Sequence, residues 1–446
     1  MRVGFLTLGC KVNSYETEKM KQQFEQAGHT VVSFEETADV YIINTCTVTN
    51  IADRKSRKML HRARRKNPDA VVVAAGCYVD SAKRKGETDE SIDLLISNAD
   101  KQDLVQKVTE MVGERSQIVP ENAFEKIHHM TEEAMAEKHT RAYIKVQDGC
   151  NQYCTYCIIP YVRGPLKSKT TEEVVKEVEG LAASGIQEVV VTGIHLSSYG
   201  IDFTDKKSFL ELEGKPMLEL LKAVAGVKGI QRIRLGSLEP RIITDEFVEE
   251  LAKNQAICPH FHLSLQSGCN ATLKRMNRHY TAQEYLAKAE ILRKYFDNPA
   301  ITTDIIVGFP QETEEEFCTT CAFAKQVGFA QIHVFKYSRR QGTMADAMTG
   351  QLQESVKAER SEKLLSIEKE LEKEYQESFC NKTEKVLFEE IIMVADKEYL
   401  VGYNERYVRI AIETKAFKQP QKYCNCIMSV QVLGHLTDEI LFAAAV

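Results

Sequence analysis

The chain has 446 residues, a formal net charge of −6, 43% hydrophobic residues and 13 cysteines. The hydrophobic share excludes wholesale disorder, no apolar run is long enough to span a membrane, and the acidic balance excludes a generic polyanion binder. Its length sets a prior of about two to four domains. The N-terminus, MRVGFLTLGC, opens directly into a strand-like segment and lacks the basic, apolar and cleavage regions of a signal peptide. A cytoplasmic location is therefore expected. So many cysteines in a reducing compartment argue against a disulfide framework and for metal or redox chemistry.

At the start of the chain, apolar strands alternate with amphipathic helices. VGFLTLGC precedes the helical TEKMKQQFEQAG, DVYIINTC precedes a basic run, and AVVVAAGCY precedes a polar helical stretch. This alternation predicts an N-terminal domain over residues 1–116, a parallel sheet flanked by helices. Cys10, Cys46 and Cys77 each close one of these strands. Ligands of such sheets bind outside the carboxyl ends of the strands, so the three thiols are expected to converge there. Glycine before Cys10 and Cys77 lets the backbone approach a bulky cluster. Taken singly, each cysteine also suits a small buried apolar position.

Between Arg54 and Lys66 eight of thirteen residues are basic and none is acidic. Asp53 is expected to cap this helix and Asn67-Pro68 to stop it. Arg54, Lys55, Arg57, Lys58 and Arg62 suit contacts to RNA phosphates. A solvated face, with Met59, Leu60 and Ala63 turned inward, explains the run equally well.

Residues 117–140 read as a polar linker, in which His128, His129 and His139 are expected to face solvent. The βα rhythm then restarts over a core domain, 141–374. Its candidate strands are AYIKV, EVVVTG, RIRLGS, FHLSLQ, TTDIIVGF and QIHVFKYS. Six parallel strands with outer helices predict a partial (β/α)6 barrel with its chemistry at the carboxyl ends. Cys150, Cys154 and Cys157, in DGCNQYCTYCIIP, follow the first of these strands. The C-x3-C-x2-C spacing gathers three thiolates and offers no obvious fourth ligand, whereas a closed structural zinc site takes four. Three thiolates on a cube of four irons leave one iron open for chemistry. A zinc site completed by a distant His or Cys is the alternative.

The remaining seven cysteines (Cys258, Cys269, Cys318, Cys321, Cys380, Cys424 and Cys426) read as packing residues. Cys318 and Cys321 fall inside a helix, and Cys424 and Cys426 alternate across a strand. A charged helix, ESVKAERSEKLLSIEKELEKEYQES, is expected to dock the core to the tail, 375–446. There, short β-like runs predict a small antiparallel barrel.

The cysteine motif, with the aromatic Tyr156 before its last cysteine, resembles the signature of the radical S-adenosylmethionine superfamily. The whole chain is similar to the methylthiotransferases of that superfamily. The likeness rests on LGCKVNSYETE, INTCTVTNIADRKSR and AGCY, then on DGCNQYCTYCIIPYVRG, RIRLGSLEP, HLSLQSGCNATLKRMNRHYT and DIIVGFPQET, and on VGYNERYVRI in the tail. It implies a TRAM domain at the C-terminus and two 4Fe-4S clusters. Cys150, Cys154 and Cys157 would hold the radical cluster, and Cys10, Cys46 and Cys77 an auxiliary one. Two S-adenosylmethionine molecules would serve each turnover, one as methyl donor and one as radical source. Gly193, Glu239, Gln266 and Ser267 are placed at strand ends to contact S-adenosylmethionine, and Gly308 to admit its adenine. Implied partners are a tRNA, a reductant such as flavodoxin or ferredoxin, and a sulfur donor, with no membrane involved.

LGCKVN, with Lys11 after the cysteine, resembles the branch acting on threonylcarbamoyladenosine in tRNA, as does SGCNATLKRMNR. The isopentenyladenosine branch typically reads GCQMN there, and the branch modifying a ribosomal-protein aspartate reads GCPKN. A non-catalytic zinc- and RNA-binding module is the alternative of another class. Two departures bear on substrate contacts: Lys169 stands where these enzymes commonly have arginine, after the unusual Pro165-Leu166, and Ser97 stands where glycine commonly precedes Asn98.

Overall fold

The computed structural model describes residues 1–116, 140–203, 212 and 214–446. The expected linker and its three histidines lie outside the described residues, Thr140 excepted. The described residues fall into two compact units. The first holds those within Met1–Lys138 together with Cys157–Pro165 and Ser338–Thr343; the second holds those within His139–Tyr156, Leu166–Tyr337 and Met344–Val446. No helix among the described residues is long and apolar enough to cross a membrane.

In the first unit, β1 (Arg2–Thr7), β2 (Thr30–Ser33), β3 (Val40–Thr45), β4 (Val71–Gly76) and β5 (Leu94–Ile96) form a parallel sheet in the order β2-β1-β3-β4-β5. Every residue of β3 and β4 is buried, because helices cover both faces of a parallel sheet. The pleat sends Tyr41, Ile43, Val72 and Ala74 into one apolar layer with Leu60 and Ala63 of the basic helix Asn50–Lys66. Val40, Ile42, Val71 and Val73 pack into the opposite layer with Met20 and Phe24 of the helix Lys11–Gln26.

The basic helix stops at Asn67 as expected, but it starts differently. Its N-cap is Thr49, whose side chain accepts a hydrogen bond from the Ala52 amide at 3.1 Å. Asp53 is instead buried in the first turn, accepting from Thr47 Oγ1 at 2.5 Å and pairing with Arg340 at 2.8 Å. A threonine one residue before the helix can satisfy a free amide in place of an aspartate.

The second unit contains the six expected parallel strands: β6 (Arg141–Asp148), β8 (Glu188–Gly193), β9 (Arg232–Leu235), β10 (His260–His262), β11 (Ala300–Val307) and β12 (Gln331–Lys336). A short antiparallel strand, β7 (Lys167–Ser168), adds to the edge of β6. The strands form the sheets β7-β6-β8-β9 and β10-β11-β12, and a bridge between Leu238 and Leu263 links them. Three of the outer helices begin with capping boxes, Thr170 with Glu173, Thr281 with Glu284 and Thr313 with Glu316. Each box satisfies amides that the first helical turn leaves free. Cys318 and Cys321 lie in the helix Glu314–Val327, whereas Cys424 and Cys426 precede a strand and do not alternate along one.

The charged helix Glu354–Glu377 places Leu364, Ile367 and Leu371 in the core's apolar cluster and Tyr375 against that of the tail. The tail is a closed barrel of β13 (Thr383–Val394), β14 (Lys397–Asn404), β15 (Arg409–Glu413), β17 (Leu441–Ala445) and β16 (Ile427–His435), in that order. Closure removes the free strand edges that invite aggregation.

The barrel docks on the amino-terminal ends of the core strands through a buried ion network. Glu188, the first residue of β8, lies 3.0 Å from Arg141 and from Arg234 and 3.7 Å from Arg232. These arginines reach onward to the barrel: Arg232 donates to the carbonyls of Tyr403 and Lys385, and Arg234 to that of Glu405 at 2.9 Å. The Arg234 guanidinium also lies 4.5 Å from the centre of the Tyr407 ring. Burial alone would raise the Glu188 pKa, but Arg234 and Arg141 prevail and bring it down to about 2.

Removing one member of a buried ion cluster leaves its partners uncompensated, at a cost of roughly 3–5 kcal/mol. Glu188→Gln is therefore expected to lose about that much stability in urea unfolding at neutral pH. Because the folded-state pKa is depressed, the Glu188 contribution is complete above about pH 5 and fades as pH falls toward about 2. The gap between wild type and Glu188→Gln should close over that window.

Candidate functional site

Cys10, Cys46 and Cys77 follow β1, β3 and β4, which are neighbours in the sheet. Adjacent strands lie about 4.8 Å apart, so the three backbone positions span roughly 10 Å along one edge. Cys46 and Cys77 are buried and Cys10 is exposed. Burial pushes the Cys46 thiol up to about 11, and Cys77 and Cys10 add to the rise while Arg163 opposes it. The bare thiol therefore holds its proton at neutral pH, and a bound metal is what would remove it.

A buried polar frame fixes this edge. Asn13 Nδ2 donates to the carbonyls of Leu8 at 2.6 Å and Thr45 at 2.9 Å, tying β1 to β3. Ser56 Oγ donates to the Cys46 carbonyl at 3.1 Å. Asn98 Nδ2 lies 3.5 Å from Cys77 Sγ and also donates to Asp80 Oδ2 at 2.8 Å. Arg163 spans Glu16 and Asn13, each at 2.9 Å. Ser97, which stands where similar enzymes commonly have glycine, donates to Asp100 at 2.5 Å.

Gly9, at φ +105°, presses on Cys46: an added Cβ would stand 2.7 Å from Cys46 Cβ and 2.9 Å from its Sγ. Tetrahedral zinc with Zn–S bonds of about 2.3 Å needs sulfurs about 3.8 Å apart. Among the described residues the one ligand group with donor atoms all within 4.8 Å is His262, Asp304 and His333, so the thiols of Cys10, Cys46 and Cys77 are wider spaced. They are thus set wider than the three sulfurs of one tetrahedral zinc.

In the second unit the cysteine loop leaves the carboxyl end of β6. Gln147 Nε2 donates to the carbonyls of Asp148 and Gly149, both at 2.6 Å, and its Oε1 accepts from the His195 amide at 2.7 Å. Thr155 clasps the turn after the short helix Asn270–Arg275, its amide bonding to Met276 O at 3.1 Å and its hydroxyl to Arg275 O at 2.9 Å. Tyr156 packs against Met276, Phe309, Tyr337 and Ala345. Burial pushes the Cys150 thiol up to about 11. Cys154 lies in this unit with Cys150, and Cys157 opens the segment grouped with the first unit.

The strand-end residues divide. Glu239 is buried and accepts from His195 Nε2 at 3.1 Å and Arg241 Nη2 at 2.7 Å. Burial opposes its charge, yet these bonds hold its carboxyl well below the usual range. Arg241 also donates to Gln152 Oε1 at 3.0 Å, joining Glu239 to the cysteine loop. Gln266 holds an unusual φ of +72°, a strain that needs surrounding structure to maintain it. Ser267 is fully buried, with its hydroxyl 3.2 Å from Thr320 Oγ1. Gly193 abuts Gln147, and the atom that demands glycine at 308 belongs to Lys357, 2.4 Å from a would-be Cβ.

On the basic helix, Arg54, Lys55, Arg57 and Lys58 are exposed. Arg54, Lys55 and Lys58 have no ion-pair partner among the described residues. Arg62 is already paired with Glu35 at 2.6 Å. Lys169 pairs with Glu177 at 2.8 Å. His195, Arg241 and Arg278 are not singled out by the sequence; the first two follow core strands, and Arg278 follows the short helix Asn270–Arg275.

An open parallel α/β barrel with cysteines beyond its first strand has the architecture of a radical S-adenosylmethionine enzyme. Residues 144–324 match the model of the Radical SAM superfamily, and residues 2–97 match one described as uncharacterized protein family UPF0004. The threonylcarbamoyladenosine tRNA methylthiotransferase MtaB of Bacillus subtilis (strain 168) is 39% identical over 97% of this chain and 93% of its own length. The MtaB of Aquifex aeolicus (strain VF5) is 37% identical over 92% of this chain and 100% of its own. A tRNA-2-methylthio-N(6)-dimethylallyladenosine synthase of Carboxydothermus hydrogenoformans (strain ATCC BAA-161 / DSM 6008 / Z-2901) is 35% identical over 87% of each chain.

Among solved structures, the radical S-adenosylmethionine methyltransferase TsrM from Kitasatospora setae aligns with a TM-score of 0.54 over 77% of each chain at 16% identity, a likeness of fold. The chain belongs to the radical S-adenosylmethionine methylthiotransferase family. It is an enzyme that transfers a sulfur-containing group and uses a 4Fe-4S cluster and S-adenosylmethionine.

The contact at Gly9 gives a direct test of the N-terminal edge. Gly28, at φ +81° with nothing within 4 Å of a would-be Cβ, is the comparison. Gly28→Ala should cost about 1–2 kcal/mol from backbone conformation. Gly9→Ala should cost roughly 1–3 kcal/mol more by overpacking, read as a larger fall in thermal unfolding midpoint.

Proposed function

We propose that this enzyme methylthiolates C2 of N6-threonylcarbamoyladenosine next to the anticodon of tRNA, giving 2-methylthio-N6-threonylcarbamoyladenosine. The observation that carries the reading is near-full-length similarity: relatives named for this reaction match at 35–39% identity, those named for dimethylallyladenosine at 31–35%. Lys11 in LGCKVN points to the same branch. Isopentenyladenosine, or an aspartate of a ribosomal protein, is the second reading. Mass spectrometry of tRNA nucleosides from a deletion strain should show loss of the 2-methylthio mark with threonylcarbamoyladenosine retained. An unchanged profile would favour the protein substrate.

In this reading Cys150, Cys154 and Cys157 hold the radical cluster, which when bound supplies an electron to cleave S-adenosylmethionine. Cys10, Cys46 and Cys77 hold a second 4Fe-4S cluster where sulfur is presented. Their shared sheet edge, and the close backbone approach to Cys46 that glycine at position 9 allows, support that assignment. A second S-adenosylmethionine per turnover donates the methyl group. Glu239 keeps its negative charge and, through Arg241 and Gln152, steadies the cysteine loop. Flavodoxin or ferredoxin would deliver electrons, a separate donor would deliver sulfur, and the cytoplasm is the setting. The C-terminal barrel would act as a TRAM-type RNA-binding domain.

Replacing Cys10, Cys46 and Cys77 together with alanine should leave deoxyadenosine formation intact and abolish methylthiolated nucleoside. Product formation equal to wild type would remove the auxiliary site. On the basic helix, replacing Arg54, Lys55 and Lys58 with glutamine should weaken tRNA binding. Each lost phosphate contact should reduce the slope of log affinity against log salt by about 1. An unchanged slope in filter binding would assign the helix to solvent.

A further inference from the structure

We infer that Arg278 is a positioning residue that raises the reduction potential of the cluster on the CNQYCTYC loop by donating a charge-assisted N–H···S hydrogen bond to Cys154. The inference rests on the assignment of Cys150, Cys154 and Cys157 as ligands of that cluster.

Arg278 stands two residues after the turn that Thr155 clasps, so it is delivered to the loop by the same local packing. Its Nη1 lies 3.3 Å from Cys154 Sγ. Its other two nitrogens bond elsewhere: Nε to Tyr280 Oη at 2.9 Å and Nη2 to Ser264 O at 3.4 Å. The guanidinium also lies 4.9 Å from the centre of the Tyr280 ring. Tyr280 is itself fixed, its hydroxyl donating to the carbonyls of Ser264 at 2.6 Å and Leu265 at 2.9 Å. The fork is thus oriented by the end of the fourth core strand before any cluster is present.

A cluster that accepts an electron gains negative charge spread partly over its sulfurs. A fixed cation hydrogen-bonded to a ligand sulfur stabilises the reduced form more than the oxidised form. Arginine suits the task because its charge is permanent and its planar donors hold several partners at once. Glu239, whose charge also faces Arg278, is compensated by His195 and Arg241. That leaves the Arg278 cation effective at the sulfur.

The test uses the full chain with Cys10, Cys46 and Cys77 replaced by alanine, reconstituted without oxygen and poised at fixed solution potentials while EPR reports the reduced cluster. R278Q should lower the ratio of reduced to oxidised cluster about tenfold at a given potential, equivalent to ~59 mV for one electron. R278K, which keeps the charge and loses the fork, should shift the ratio less, with iron per chain unchanged. If the parent chain holds no cluster, the ligand assignment fails. If it holds one and the ratio is the same in R278Q and R278K as in the parent, Arg278 has no such role although the assignment stands. Should R278Q not assemble a cluster, R278K decides alone, and a parent-like ratio in it overturns the inference.

Discussion

Parallel pairing delivers every strand of a sheet to the same edge, and this polarity is what the chemistry of the molecule depends on. In the N-terminal sheet it collects Cys10, Cys46 and Cys77 although 36 residues separate the first two and 31 the last two. No local motif brings these thiols together; the order β1-β3-β4 does. Burial then keeps bare Cys46 protonated, so that thiol is a poor nucleophile by itself and is suited to a metal that displaces its proton.

The core uses the same polarity twice. Its carboxyl edge carries the cysteine loop and the Glu239, His195 and Arg241 group. Its amino edge carries Arg141, Glu188, Arg232 and Arg234, which fasten the C-terminal barrel. The cysteine loop and the domain attachment therefore sit at opposite ends of the same strands. A buried carboxylate among three arginines contributes little net stability over an apolar isostere, yet it is costly to break. It fixes one docking geometry because each arginine also has its own barrel partners, carbonyls for Arg232 and Arg234 and the Tyr407 hydroxyl and Glu389 for Arg141.

Much of this was legible in the sequence because it was periodic or local. The continuous apolar runs of β3 and β4 announced buried parallel strands, and the six core strands followed from the same rhythm. Cysteines at strand ends were readable because strand direction fixes where an end points. The basic run was readable as a helix, but its cap was not, since Thr49 and Asp53 both satisfy the rule and only tertiary pairing with Arg340 decided between them. The arginines of RIRLGS read as strand residues; their role arises from partners about 150 to 170 residues away. At Gly308 the sequence shows no sign of Lys357, a close neighbour of any added Cβ, because it comes from a helix the motif does not contain.

Two clusters, one at each carboxyl edge, are proposed, and their iron content is open to direct measurement. Iron and sulfide analysis with Mössbauer spectroscopy on anaerobically reconstituted chain should give about eight irons, all in 4Fe-4S form, and about four after alanine replacement of Cys10, Cys46 and Cys77. About four irons in the unaltered chain, with no loss in the variant, would contradict the placement of a cluster on the N-terminal sheet.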